Sequence, residues 1–403
     1  MKMTNFKNTL WIAAILFTPE MAGAADGGSI AEAVTGGKVS LDMRYRIENV
    51  EQDNLLEEAT ASTLRTALGY TTGSYHGFSG YIEFEDVSPV GEDDYNSTVN
   101  GKTEFSVITD PVGEELNEVF LSYKGDDCVL KSGRQSMILD NARFIGNSGW
   151  RQNEQTFDMP VSYVNTGIEN LKLTYGYMTA VQRVLGDASP VGEFNMSNHI
   201  LNAGYAFDPF KVTAYAYFLE FDNPVQSLLS QQTLGASFSG TAGNFSYYLE
   251  YATQSDYADG SPLIDADYSL VELGYRFGGL TIKAAQETLG GDGTYGFSTP
   301  LATLHAFNGW ADMFAVTPLL GLVDIYVDAA TTAGGLGLKA VYHDFSSDTG
   351  GVDFGTEIDF LLSKKFSPVY SGGIKLASFS SDSAPAYADT DKVWLYVQAN
   401  FAN

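Results

Sequence analysis

From Lys38 onward the chain alternates between apolar and polar residues with a period of two. In Lys38–Glu48, Val39, Leu41, Met43, Tyr45 and Ile47 share one face, while Ser40, Asp42, Arg44, Arg46 and Glu48 share the other. Successive side chains of a β-strand point to opposite faces, so this segment reads as a strand with one apolar and one charged face. The pattern recurs. Leu171, Leu173, Tyr175 and Tyr177 oppose Lys172 and Thr174. Val212, Ala214, Ala216 and Phe218 oppose Lys211, Thr213 and Tyr215. Val323, Ile325 and Val327 oppose Asp324, Tyr326 and Asp328. We count 18 such segments, starting near residues 38, 62, 77, 117, 128, 156, 170, 199, 210, 231, 244, 267, 280, 322, 335, 355, 370 and 392. No long 3.6-residue pattern competes with them.

The connections constrain the topology. After even-numbered segments they are short, as at Lys124–Asp127, Asp208-Pro209, Gly278-Gly279 and Thr332–Gly335. After odd-numbered segments they are mostly longer and acidic, the largest being Asp86–Asn117, Met137–Gln155, Ala180–Asn198 and Thr288–Gly321. Strict alternation gathers all long loops at one end. That is the pattern of an outer-membrane barrel with short periplasmic turns and long extracellular loops. Unpaired backbone groups in hydrocarbon cost several kcal/mol each, so such a sheet must close on itself. We therefore expect an all-β fold, a transmembrane antiparallel β-barrel of about 18 strands. At this size side chains cannot fill the interior, and the charged rows line a wet lumen.

The N-terminus reads as an export signal. Lys2 and Lys7 precede the apolar run Leu10–Phe17, and Ala22-Gly23-Ala24 follows as a cleavage site. We assign residues 1–24 to a signal peptide and 25–403 to one barrel domain. A short N-terminal anchor is the other reading, but the run is too short to span a bilayer as a helix. No later stretch of 18 or more apolar residues exists. Asp+Glu total 50 against 22 Lys+Arg, a net charge of −28, which is wrong for a nucleic-acid partner. The single cysteine, Cys128, excludes an internal disulfide framework.

Function-bearing candidates are few. Arg44, Arg46 and Arg65 lie on faces opposite the apolar rows. Arg134, Arg143 and Arg151 lie in or beside the Lys131–Asp158 stretch, and Gly133 can mark a bulge that obscures the facing of Arg134. A ring of arginines in a narrow pore selects anions. The same arginines can instead pair with Asp42, Glu48, Glu83, Glu85 or Glu118 on neighbouring strands; both readings stay open. Leu301–Phe314 breaks the alternation and carries Phe307, Trp310 and Phe314, which suit either a loop tucked into the lumen or one packed on the rim. Glu92–Asp94, Asp256–Asp267 and Gly290–Gly293 are acidic. They offer a weak Ca²⁺ signal, or a solvated rim bridged to lipopolysaccharide by divalent ions. We expect no other cofactor and no metal site. His76, His199, His305 and His343 are isolated from one another, and no HExxH, GxSxG or P-loop occurs, so we do not expect an enzyme. The last strand alternates Val393, Leu395, Val397, Ala399 and Phe401. It resembles the terminal signal read by barrel-assembly machinery, although Ala402-Asn403 extend past the aromatic.

Several strings carry a family resemblance: LRTALGYTTGSYHGFSGYIEFEDV, YNSTVNGKTEF, GRQSMILDNARFIGNSGWRQNEQTFD and GFSTPLATLHAFNGWADMF. They resemble the porin-like alginate export family of Gram-negative outer membranes, most densely over residues 62–158 and 296–314. The resemblance implies an 18-strand barrel with an inward-folded loop and a basic constriction, which in the alginate exporter passes a polyuronate chain. The matching positions are Arg134, Asn141, Arg143, Arg151, Asn153 and Gln155, with His305, Asn308 and Trp310 in the second block. Few Lys or Arg follow residue 183, so only part of the wall is basic. The expectation is an outer-membrane channel for passive diffusion of small hydrophilic, anionic or sugar-like solutes, with pore-lining groups at Arg44, Arg46, Arg65, Arg134, Arg143, Arg151, Asn153 and Gln155 and an inward loop presenting His305, Phe307, Asn308 and Trp310. The alternatives are a dedicated anionic-polysaccharide exporter and, in another class, a barrel-borne enzyme or adhesin.

Overall fold

The computed structural model describes residues 28–165, 167–224, 226–383 and 386–402. The signal peptide expected at 1–24 lies outside the described residues. A short helix, α1 (Ile30–Thr35), precedes the sheet. Its strands are β1 (Lys38–Gln52), β2 (Ala59–Thr71), β3 (Phe78–Asp94), β4 (Gly113–Lys124), β5 (Cys128–Gln135), β6 (Thr156–Asn165), β7 (Leu171–Gln182), β8 (Glu193–Phe207) and β9 (Phe210–Leu219). They continue as β10 (Gln231–Ala242), β11 (Phe245–Asp256), β12 (Asp265–Phe277), β13 (Leu280–Leu289), β14 (Leu322–Ala333), β15 (Leu336–Ser346), β16 (Asp353–Lys365), β17 (Tyr370–Ser381) and β18 (Thr390–Ala402).

Each strand pairs antiparallel with its chain neighbours, and β1 pairs β18 from Ser40↔Ala402 to Gln52↔Thr390. The sheet is thus a closed 18-stranded barrel without a free edge. The short turns at 125–127, 208–209, 243–244, 278–279 and 334–335 lie at one end, and the long loops at 95–112, 136–155, 183–192, 220–230 and 290–321 lie at the other. Three strands begin earlier than the alternation suggests: β2 at Ala59, β4 at Gly113 and β8 at Glu193. Near the long-loop end the inward positions of β2 and β8 are apolar (Ala59, Ala61, Phe194, Met196), and in β4 a bulge at Asn117 breaks the alternation, so the period-two signal fades before the pairing does.

Burial follows the expected parity. Val39, Leu41, Met43, Tyr45 and Ile47 point outward, while Arg44, Arg46, Glu48 and Val50 are buried inside. Leu68, Val212, Val271, Leu273, Ile325, Val327, Leu395 and Val397 are exposed on the outer wall, an extent of apolar surface that fits hydrocarbon rather than water. Aromatic rings gather outside the short turns: Tyr205, Phe207 and Phe210 touch in sequence, as do Phe245, Tyr275 and Phe277, in tilted and edge-on contacts. Such a band marks a membrane–water interface.

The interior is only partly wet. Loop residues Phe144, Ile145, Phe297, Leu301, Trp310 and Phe314 pack against inward wall residues Tyr268, Leu289, Phe345, Phe379 and Trp394 in one buried apolar cluster. Burying each large side chain contributes about 1.5–3 kcal/mol. The inward apolar positions of the wall therefore exist to receive the loops.

Candidate functional site

Two long loops narrow the barrel. Loop 136–155 leaves β5, passes β8 and β9, crosses to β12 and β13, runs along β17, β18, β1 and β2, and re-enters the sheet at β6. Its contacts mark the route. Asn202 Nδ2 donates to Asp140 Oδ2 at 2.6 Å; Phe144 packs on Tyr215 and Tyr268; Trp150 lies against Trp394 and Tyr396; Gln152 Nε2 donates to Thr63 Oγ1 at 2.8 Å. Loop 290–321 comes down beside it. Gln155 Nε2 joins the two by donating to the carbonyls of Gly146 (2.8 Å) and Leu301 (3.1 Å).

The arginines expected to line the pore hold these loops. From β1, Arg44 Nε donates to Gln152 Oε1 at 2.9 Å and Nη1 to the Gly149 carbonyl at 2.8 Å, with a further bond to the Arg151 carbonyl. Arg46, fully buried, binds the Trp150 carbonyl and Asp110, and lies 3.3 Å from Glu48. Arg65 from β2 reaches Glu85 (2.5 Å), Asp42 (2.8 Å) and Glu154 (3.3 Å). Within the loop, Arg143 pairs with Glu287 of β13 at 2.6 Å and donates to Asn308 Oδ1 at 3.1 Å. Arg151 bridges Glu48 (3.2 Å) and Asp312 (2.7 Å). Arg134 stands apart. It pairs with Asp158 of β6 at 2.7 Å, and its side chain stays about a quarter exposed (24%). Five of the six guanidiniums are thus buried between loop and wall. Presented as free cations they would select anions; here their donors are taken by loop carbonyls and carboxylates. Asn153 is also buried, donating to the Pro111 and Val184 carbonyls at 3.5 and 3.4 Å.

The second loop contributes an aromatic cage. Lys375 Nζ of β17 lies 3.8 Å from the ring centre of Trp310, 4.5 Å from Trp150 and 5.5 Å from Trp394. Such cation–π contacts strengthen when desolvated, and Lys375 is buried. His305 completes the cage, stacked on Trp150 at 5.4 Å. Its Nδ1 is 2.8 Å from Asp312 Oδ1, and its Nε2 is 2.6 Å from Lys375 Nζ. An ammonium donates only, so Nε2 accepts and Nδ1–H donates to Asp312. Burial first, and then the Lys375 charge, push the imidazole down to about 3, against the pull of Asp312; Asp312 itself is held well below the usual carboxylate range by His305, Lys392 and Arg151 despite its burial. Asn308 (φ 56°) and Gly309 (φ 82°) turn the loop so that the Trp310 and Ala311 N–H groups donate to Asp359 (3.3 Å) and Glu357 (2.7 Å). A Cβ at Gly309 would fall 2.3 Å from Glu357 Oε2, so the turn requires glycine. Phe307 lies over the Arg143 guanidinium at 4.8 Å.

The loop of 301–314 is therefore inside the barrel, one of the two placements its sequence allowed. Trp310 and Phe314 are not presented to solutes, being 8% and 5% exposed, with Trp310 packed on Lys375, whereas Phe307 is half-buried. The partners Lys375, Glu287, Asp110, Glu154 and Asp312 carried no sequence motif; inward parity could have flagged Glu287 and Lys375, but loop carboxylates have no parity to read. Among the described residues, no group of three or more His, Cys, Asp or Glu is arranged to hold a metal ion. In the acidic loop, Asp292 accepts from the Thr294 and Tyr295 N–H groups at 2.7 and 2.9 Å, which shapes a turn.

What remains polar and partly open is the wall of β1–β4 facing Glu154. Asp42 and Glu154 keep about a fifth of their side chains exposed (19% and 22%), and Glu83 and Glu115 are half-buried. This patch, Arg134–Asp158 and the half-buried Asn147 form the partly exposed inner surface that the loops leave uncovered.

No protein-family model matches the chain, and no curated protein matches it by sequence. Solved structures do match in shape. OpdK of Pseudomonas aeruginosa, solved with vanillate, superposes at a TM-score of 0.70 with 16% identity, covering 92% of this chain and 100% of that one. OccK3 (OpdO) of the same organism gives 0.69 and 14%, covering 92% and 97%. OccAB2 of Acinetobacter baumannii gives 0.71 and 15%, covering 92% and 99%. At this identity the likeness establishes the barrel fold.

Proposed function

We propose that this chain is an outer-membrane channel through which small hydrophilic solutes diffuse passively. The observation that carries the reading is a closed barrel, apolar outside, whose lumen is narrowed by two anchored loops but left bordered by acidic and basic side chains. A barrel needed only as a scaffold would have no reason to keep Asp42, Glu83, Glu115 and Arg134 partly exposed on its inner face. The shape it shares with OpdK and OccK3, outer-membrane proteins of a Gram-negative bacterium, fits this reading and this location. So does the aromatic band at the short-turn rim. Lipid surrounds the wall in this picture, lipopolysaccharide surrounds the long-loop rim, and β18 presents its apolar face to the assembly machinery.

The resemblance to the alginate export family suggested a polymer conduit. That reading has less support, because loops 136–155 and 290–321 are fixed across the lumen by buried ion pairs; we place the opening beside loop 136–155, over the partly exposed wall of β1–β4. An enzymatic role also lacks support: His305 and His343 are engaged by Asp312 and Asp324 within buried networks.

Liposome swelling tests the proposal. Purified protein in liposomes should admit small neutral sugars and exclude larger oligosaccharides, with rates falling steeply as solute size rises. Liposomes that swell no faster than protein-free controls would rule the channel out.

A further inference from the structure

The charge facing the opening is the reverse of what an arginine constriction would supply. Two carboxylate pairs sit directly opposite each other across β3 and β4, Glu83↔Glu118 and Glu85↔Glu115. Like charges opposed across a strand pair destabilise it, so fold stability alone does not account for them. The second row continues through Ala67 of β2 to Asp42 of β1, and Glu154 faces it from the loop. Six carboxylates thus share one patch. A single guanidinium, Arg65, lies among them and is already shared by Asp42, Glu85 and Glu154. Arg44 borders the patch but spends its donors on the loop; Lys131 packs on the Phe120 ring at 4.4 Å; Arg134 is matched by Asp158. Even with Arg44 and Lys131 counted against them, the carboxylates are in excess.

A second observation points to a donor-bearing ligand. Glu85, 2% exposed, has Oε1 without a hydrogen-bond partner among the described residues, and Asn117, 1% exposed, has Oδ1 in the same condition. Asn117 lies at the bulge between the two carboxylate pairs, with its Nδ2 donating to Glu83 Oε1 at 2.8 Å. Both of these atoms are acceptors. Buried acceptors without donors are costly, and a passing ammonium or guanidinium supplies donors together with compensating charge.

We infer that the opening between loop 136–155 and the β1–β4 wall selects small cations, and that its solutes are organic cations bearing an ammonium or guanidinium group. This rests on the channel reading above and departs from the anionic preference that the arginines alone suggest. Rings of carboxylates select cations by concentrating them and by repelling anions.

The test is a reversal-potential measurement in planar bilayers under a KCl gradient, with liposome swelling in lysine and in glutamate as a second readout. The intact protein should pass K⁺ in preference to Cl⁻ by at least about threefold and swell faster in lysine. Glu83→Gln and Glu115→Gln, neither in contact with Arg65, should each lower that preference about twofold while conductance steps persist. Asp126→Asn, in a short turn, should leave it unchanged. Should Glu115→Gln fail to give a heat-modifiable barrel, Asp42→Asn serves in its place. Anion preference in the intact protein, or unaltered selectivity in conducting variants, overturns the inference and leaves the channel standing. Absence of conductance from every form overturns both.

Discussion

Arg46 and Arg134 show how burial sets the weight of an ion pair. Arg46 is fully buried against Asp110 and Glu48. Removing it as Arg46→Ala leaves buried Asp110 without its cation while Glu48 keeps Arg151, which costs about 3–5 kcal/mol. Arg134→Ala breaks a partly exposed pair and should cost only about 0–1 kcal/mol. Urea midpoints of the two variants in detergent micelles should separate accordingly; equal midpoints would contradict the burial gradient. His305 adds a pH dependence with a defined sign. Its folded value of about 3 lies below the ordinary 6.5, so the folded protein binds fewer protons there than the unfolded chain. That contribution is complete above about pH 6.5 and is lost as pH falls toward 3. Tryptophan emission should report Trp150 and Trp310 becoming wet on acidification, and His305→Gln should flatten that response. At this scale parity placed Arg44, Arg46 and Arg65 on the inner face but could not name their partners. Face assignment needs only parity, whereas Asp110, Glu154 and Asp312 reach their partners through loop paths that have none.

The two inward loops act as one element, joined by Gln155 and pinned at Lys375. Lys375→Met keeps the length of the side chain but removes its charge and its donor to His305. We expect loop 290–321 to loosen, with single-channel conductance rising up to about twofold and open-state noise growing. An unchanged trace would mean the cage is not what holds the loop. Leu301–Phe314 was legible as unusual because Phe307, Trp310 and Phe314 would be costly in water. The reach of loop 136–155 around the lumen was not, since Phe144 and Trp150 read as isolated apolar residues until their wall partners, Tyr268 and Trp394, are brought close. The aromatic band was also present in the chain, beside the short turns at 208–209, 243–244 and 278–279 as Phe207, Phe210, Phe245 and Phe277, but a single aromatic beside a turn carries no signal until the barrel aligns them.

The whole molecule depends on the closing pair. β1 and β18 meet over Ser40–Gln52, far apart in sequence, and a chain lacking residues 390–402 would expose two sheet edges in hydrocarbon. Such a truncation should abolish the heat-modifiable band on electrophoresis and the β-type circular dichroism of the detergent-solubilised protein. Strand number, chain order and facing were readable because one periodicity governs all 18 segments and the short turns punctuate every second one. The apolar filling on the inside was not, because inward Phe345, Phe379 and Trp394 look like faults in the alternation until loops are seen to cover them. A sealed cylinder with a narrow aqueous passage is tested most directly by recording single molecules in a planar lipid bilayer. Such a barrel should give discrete conductance steps well below those of a wide, loop-free barrel of this strand number. A barrel that inserts but gives no steps, or one that conducts like an unobstructed pore, would contradict it.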